Sequence, residues 1–115
     1  MNDVWNQIVG EDLSGIVFVR DYLQLQFNPP PTINAYTPTT ISTKGKTARF
    51  GETDFPNLII GQIGKVVSKV TIKEKDSFQI IFADDSEISI SLKEEDYRSP
   101  EAVNFFGKNK ELVVF

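Results

Sequence analysis

The sequence contains no cysteine and no histidine. Without cysteine there is no disulfide, no zinc–thiolate or iron–sulfur centre and no thiol nucleophile. Without histidine the commonest general base is missing, and with it the Ser-His-Asp triad and most transition-metal sites. No catalytic residue, metal or cofactor is therefore assigned from sequence. Long apolar runs are also absent: none approaches the roughly 18 residues of a transmembrane helix. The start, Met1-Asn2-Asp3-Val4-Trp5, lacks the positive charge and apolar stretch of a secretory signal. A cytoplasmic location follows as the expectation, in keeping with the missing cysteines.

Positive charge is in deficit. Twelve Lys and Arg oppose sixteen Asp and Glu, a net charge of −4 and a pI near 4.8. Phosphate contacts dominate nucleic-acid affinity and call for a basic face. The balance speaks against nucleic acid and against an anionic membrane surface as partners.

What is present is ordinary for a globular domain: 115 residues, 40% hydrophobic and 24% charged. Surface scaling gives about 6,300 Å² exposed when folded against about 19,000 Å² unfolded, so one core can form without covalent staples. Residues 2–10 read as a short helix, capped by Asn2 or Asp3, with Val4, Trp5, Ile8 and Val9 as its apolar stripe and Gly10 as its end. Strands are expected over Leu13–Arg20, Tyr22–Phe27 and about Thr32–Thr37. In the second of these, Leu23, Leu25 and Phe27 alternate with Gln24 and Gln26, the period of a half-buried strand. Asn28-Pro29-Pro30-Pro31 interrupts the ladder, because proline supplies no N–H.

Residues 38–53 are the least core-like stretch and read as a polar hairpin turning at Lys44-Gly45. A second helix is expected from Phe55 to Ile63, with Thr53 or Asp54 as cap, Pro56 in its first turn and Phe55, Leu58, Ile59 and Ile63 on one face. Three strands follow, with faces Val66/Val70/Ile72, Phe78/Ile80/Phe82 and Ile88/Ile90/Leu92. Glu94–Phe106 has room for a helical turn, and Glu111–Phe115 reads as a last strand.

The order helix–strand–strand–strand thus occurs twice. Sliding the chain by 55 places sets residues 23–37 against 78–92, with Gln24 on Gln79, Phe27 on Phe82 and Ile33 on Ile88. Upstream, a shift of 54 sets Gly10 on Gly64 and Ser14 on Ser68. The change of offset falls in a turn, where insertions are tolerated. The expected fold is a single α+β domain of mainly antiparallel sheet, an internal duplication of an αβββ unit. One unit covers about 2–37, a hairpin linker 38–53, the second unit about 54–92 and a C-terminal segment 93–115.

Two polar clusters carry candidate chemistry. Arg20-Asp21-Tyr22 lies in a strand-to-strand turn, and an Arg, a carboxylate and a phenol together can bind an anion or move a proton. Glu95-Asp96-Tyr97-Arg98 closes an acidic run with the same residue types. The plainer reading of both is solvated turn charge. Asp84-Asp85-Ser86-Glu87 lacks the spacing and glycine of an EF-hand loop and reads as a hairpin turn. Lys44, Lys46 and Arg49 cluster in the 38–53 hairpin, where a basic tip on an acidic protein can meet an acidic partner or a phosphate, though the plainer reading is a solubilising tip; Gly61-Gln62-Ile63-Gly64 reads as the end of a helix.

Phe18–Phe27 (FVRDYLQLQF) and Ser91–Ala102 (SLKEEDYRSPEA) resemble the hallmark segments of a family of short, uncharacterised bacterial proteins. Thr37-Pro38, Gly45-Lys46, Arg49-Phe50-Gly51 and Ile63-Gly64 before a Val-rich strand extend the likeness over nearly the whole chain. The resemblance implies no activity. Asn28-Pro29-Pro30-Pro31 departs from the shorter, glycine-containing turn of that family.

The leading functional expectation is a non-enzymatic protein acting through protein–protein contacts, for instance a small acidic immunity-type inhibitor of a basic toxin. The alternative is a small-ligand-binding protein or minor enzyme that uses the Arg/Asp/Tyr clusters, which requires the two segments to converge on one pocket. The third is a structural homodimer formed through the apolar last strand.

Overall fold

Alternating apolar residues bury one face of a strand, as in Tyr22–Gln26, Thr39–Thr43 and Glu87–Ser91, and ten strands form among the described residues. They are β1 Gly15–Val19, β2 Tyr22–Gln26, β3 Thr32–Ala35, β4 Thr39–Thr43, β5 Lys46–Arg49, β6 Val67–Lys73, β7 Ser77–Phe82, β8 Glu87–Ser91, β9 Val103–Phe106 and β10 Leu112–Val114. One α-helix, α1 Phe55–Ile60, and two 3-10 turns, Val4–Ile8 and Glu94–Asp96, complete the described residues. The structure is a computed structural model and describes residues 3–115. Met1 and the proposed cap Asn2 lie outside the described residues.

The strands build two antiparallel five-stranded sheets, in the orders β1-β2-β3-β9-β10 and β5-β4-β8-β7-β6. One core joins their inner faces: Leu23, Leu25, Phe27, Ile33 and Phe105 from the first sheet meet Ile41, Phe78, Ile80, Phe82, Ile88 and Ile90 from the second, all fully buried. The architecture is therefore mainly antiparallel β with one short helix.

Both sheets share one plan, a three-stranded meander with a hairpin beside its third strand. In each case the hairpin comes from the other half of the chain. β9–β10 joins β3, and β4–β5 joins β8. The registers correspond. Leu25 faces Ile16 and Ile33 as Ile80 faces Val70 and Ile88. Ile33 then faces Phe105, paired with Val113, as Ile88 faces Ile41, paired with Ala48. Where the two halves touch, the bonds are reciprocal: Gly10 N donates to Val67 O and Gly64 N to Leu13 O, around a bridge between Asp12 and Val66. Gly10 and Gly64 sit at φ 87° and 95°, a region that favours glycine.

Several local expectations are corrected. The first helix is a 3-10 turn of five residues, and Val9 is exposed. Asp3 and Asp54 stand at N-cap positions without a capping side-chain bond. α1 stops at Ile60, so Ile63 falls past it and is exposed. A register shift between Val67 and Lys69 turns Val67 inward and leaves Val66 outside. The 94–106 segment holds a 3-10 turn and then an unforeseen strand, β9, too short at four residues to show a period.

The 38–53 hairpin does turn at Lys44-Gly45, with φ 50° and 75° as a tight hairpin requires. It is also part of the core, since Thr39, Ile41, Thr43 and Ala48 are buried. Two of the three short helical elements pack against the sheets. The first 3-10 turn packs on β6, its Trp5 ring edge-on to Phe115 at 5.4 Å, and its Gln7 Nε2 donates to Glu111. α1 packs on β4 and β5, and Phe55 meets Phe18 of β1.

Candidate functional site

The chain crosses from the first sheet to the second at Tyr36-Thr37-Pro38 and returns through residues 92–102. Proline ends a ladder and holds the preceding residue extended, so the crossing is sharp. The two crossings are tied together: Tyr36 N donates to Ala102 O, Ser91 N to Pro38 O, and Thr37 Oγ1 to Ser91 O at 2.5 Å. A cavity of about 210 Å³ opens beside them.

Each element brings a side chain to it. Val19 pairs with Tyr22, so Arg20 and Asp21 form the two-residue tip of the β1–β2 hairpin and reach the cavity with Tyr22. Tyr36 lies 5.0 Å from Tyr22, ring to ring, and its hydroxyl accepts from Asn34 Nδ2. Arg49 ends β5, where its N–H donates to Glu52 Oε1, and Phe50 stacks on Phe55 behind it. Arg98 arrives on the return crossing.

The sequence has three arginines, and all three line this cavity. Among the described residues none of their guanidiniums is in an ion pair; the two pairs present are Lys65–Asp84 and Lys108–Glu11. Three arginines and one aspartate give the lining a formal charge of +2 on a chain of −4. Guanidinium groups offer planar forks of donors that match carboxylate and phosphate oxygens. The arrangement suits an anion.

Pro38 and Arg49 also line an adjoining groove of about 340 Å³ on the outer face of the second sheet. Thr40, Gln79, Ser89 and Ser91 floor it, with Lys93, Asp76 and Asp96 at its sides. Ser91 Oγ donates to Asp96 Oδ2 at 2.6 Å, which fixes that carboxylate.

Of the sequence candidates, Arg20, Asp21, Tyr22 and Arg98 meet in the cavity, and Asp96 lies in the groove beside it. Glu95 is exposed on the 3-10 turn. Tyr97 faces a separate hollow with Ile72, Leu92 and Phe115. Tyr36 carries no signal in the sequence, and Arg49 stands out there only within a basic cluster. Arg49 was grouped with Lys44 and Lys46, but the strand places it at the hairpin's base, away from the tip. Among the described residues no three Asp or Glu are grouped to hold a metal ion.

A second polar cluster lies elsewhere. Lys65 Nζ reaches Asp84 Oδ2 at 2.7 Å and Gln62 Oε1 at 2.9 Å, Gln62 Nε2 donates to Ser86 Oγ, and Ser86 Oγ donates to Asp84 Oδ1. This closed ring joins the segment after α1 to the β7–β8 turn. The Lys65 hydrogen bond, followed by those of Ser86, holds the Asp84 carboxyl well below the usual carboxylate range. Backbone N–H bonds of Glu111 and Asn109, then Gln7, lower Glu111 in the same way. Comparison with known proteins yields no match: no family model, no curated protein and no solved structure is similar to the chain.

Proposed function

We propose that this protein is a non-enzymatic binding module whose cavity takes an anionic group, a carboxylate or phosphate, on Arg20, Arg49 and Arg98. One observation carries the reading: an acidic chain gathers all its arginines at one concavity and, among the described residues, leaves them out of any ion pair. Tyr22 adds a phenol to the site, and Asp21 a carboxylate that can take a cationic or hydroxyl group of the same ligand. The partial convergence of the two candidate segments supports this reading over that of solvated turns.

The test is calorimetric titration with inorganic phosphate at low salt, for the native chain and for Arg20→Ala, Arg49→Ala and Arg98→Ala. A hydrogen bond to a charged group contributes about 1.5–3 kcal/mol, so each variant should weaken binding about tenfold or more. No heat with phosphate or with small carboxylates, or variants that bind like the native chain, would overturn the assignment.

A protein partner with a basic surface is the second reading. Glu74 and Asp76 on the β6–β7 turn and Glu94, Glu95 and Asp96 on the 3-10 turn adjoin one another, tied by the bond from Leu92 N to Asp76 O. An inhibitor of the immunity type would dock there, with an affinity that falls steeply as salt rises. Capture experiments at 50 and 500 mM salt separate this reading from small-anion binding, whose determinants are the arginines.

The duplication of an αβββ unit also belongs here as a proposal. The equal sheet plans, matching registers and reciprocal bonds at Gly10 and Gly64 support it. In this account each unit also carries a hairpin and donates it to the other's sheet.

A further inference from the structure

We infer that the anion taken by the arginine cavity is borne by a sugar, and that the sugar's hydroxylated body lies in the adjoining groove. This rests on the anion reading above and adds the ligand's class. Cavity and groove adjoin, because Pro38 and Arg49 line both. Arg49 sits at the end of a transverse row, with Thr40, Ser89 and Gln79 in register beside it on β4, β8 and β7.

Neighbouring strands lie about 4.8 Å apart. The row therefore presents a hydroxyl, a hydroxyl and an amide at intervals close to the width of a pyranose ring. Among the described residues the side chains of Thr40, Ser89 and Gln79 have no hydrogen-bond partner, whereas Ser91 and Ser77 are engaged by Asp96 and Asp76. All three are half-buried, so their donors and acceptors are presented by a fixed strand surface.

Charge sets the orientation. The cavity end carries three arginines against one aspartate, while at the groove Asp76 and Asp96 are balanced by Lys93 and the shared Arg49, so its lining has no net formal charge. A ligand with one anionic end and a neutral polyhydroxyl body meets both conditions. A polyanion, such as a nucleic acid strand, would set negative charge against those carboxylates. A sugar phosphate and a uronic acid share this chemistry and differ only in the anion.

The experiment is calorimetric titration of the full chain with glucose 6-phosphate, glucuronate, glucose, inorganic phosphate and acetate, repeated on Thr40→Ala/Ser89→Ala/Gln79→Ala. These three side chains project from the outer face, and a melting curve checks that the variant is folded. On the native chain, glucose 6-phosphate should bind about tenfold tighter than inorganic phosphate, or glucuronate about tenfold tighter than acetate. In the variant that excess should disappear. Glucose 6-phosphate no tighter than inorganic phosphate, together with glucuronate no tighter than acetate, on the native chain would overturn the sugar inference and leave the anion site standing. Persistence of the excess in the folded variant would also overturn it. Binding of none of the anions would remove the anion reading and the sugar inference together.

Discussion

Replacing Ile41 by Ala tests the placement of the first hairpin. Ile41 is on the inner face of β4, fully buried, between Ile88 on β8 and Ala48 on β5. Truncating a buried Ile costs about 2–5 kcal/mol, with the larger values where neighbours cannot close the space. Ala48 is too small to reach across, so about 3–4 kcal/mol is expected. Unfolding entropy of about 2.1 cal/mol/K per residue amounts to about 0.24 kcal/mol/K for this chain, so Tm should fall by about 12–17 °C. Lys46→Ala, exposed on the same hairpin, should stay within about 0.5 kcal/mol. Urea unfolding of both variants gives the free energies, and an unchanged slope shows that the hairpin unfolds with the sheets. A cost below about 1 kcal/mol for Ile41→Ala would mean that β4–β5 is not docked between the halves.

Phe105→Ala, the corresponding position on the second hairpin, is fully buried and should cost about 3–5 kcal/mol by the same assay. Thr43 Oγ1 is buried without a hydrogen-bond partner among the described residues, so Thr43→Val should raise stability by up to about 1 kcal/mol in urea unfolding. Gly45→Ala meets nothing within 4 Å but must hold φ 75°, so it should cost about 1–2 kcal/mol through backbone strain alone; a neutral result in thermal melts would disprove the turn geometry. The folded Asp84 carboxyl is depressed, so its stabilisation is present above the unfolded value near 3.9 and is lost as pH falls below about 4. Between pH 5 and pH 3 the native chain should therefore lose more stability than Asp84→Asn, and equal losses would refute the ring around Lys65.

Turns and strand phase were open to a reader of the sequence because both are local. Lys44-Gly45 defines its hairpin by two adjacent residues, and Leu23, Leu25 and Phe27 declare their buried face within five. The core positions Leu25, Phe27, Ile80, Phe82 and Ile88 follow from that alternation, and all are fully buried. β9 was not legible, because Val103-Asn104-Phe105-Phe106 has too few residues to separate a period of two from a helical turn. The site was legible in part. Arg20, Asp21, Tyr22 and Arg98 stood out by chemistry, while Arg49 looked like hairpin-tip charge.

The sequence by itself determined the Lys44-Gly45 turn, the buried faces of the strongly alternating strands, and that the chain carries no thiol and no imidazole. Tertiary structure alone decided that β4–β5 pairs with β8 and β9–β10 with β3, and so that arginines 20, 49 and 98 share one cavity. The physical reason is that backbone hydrogen bonds between strands are the same for every residue. The partner of an edge is chosen by how the whole apolar surface is best covered, and that choice is written nowhere in the local pattern.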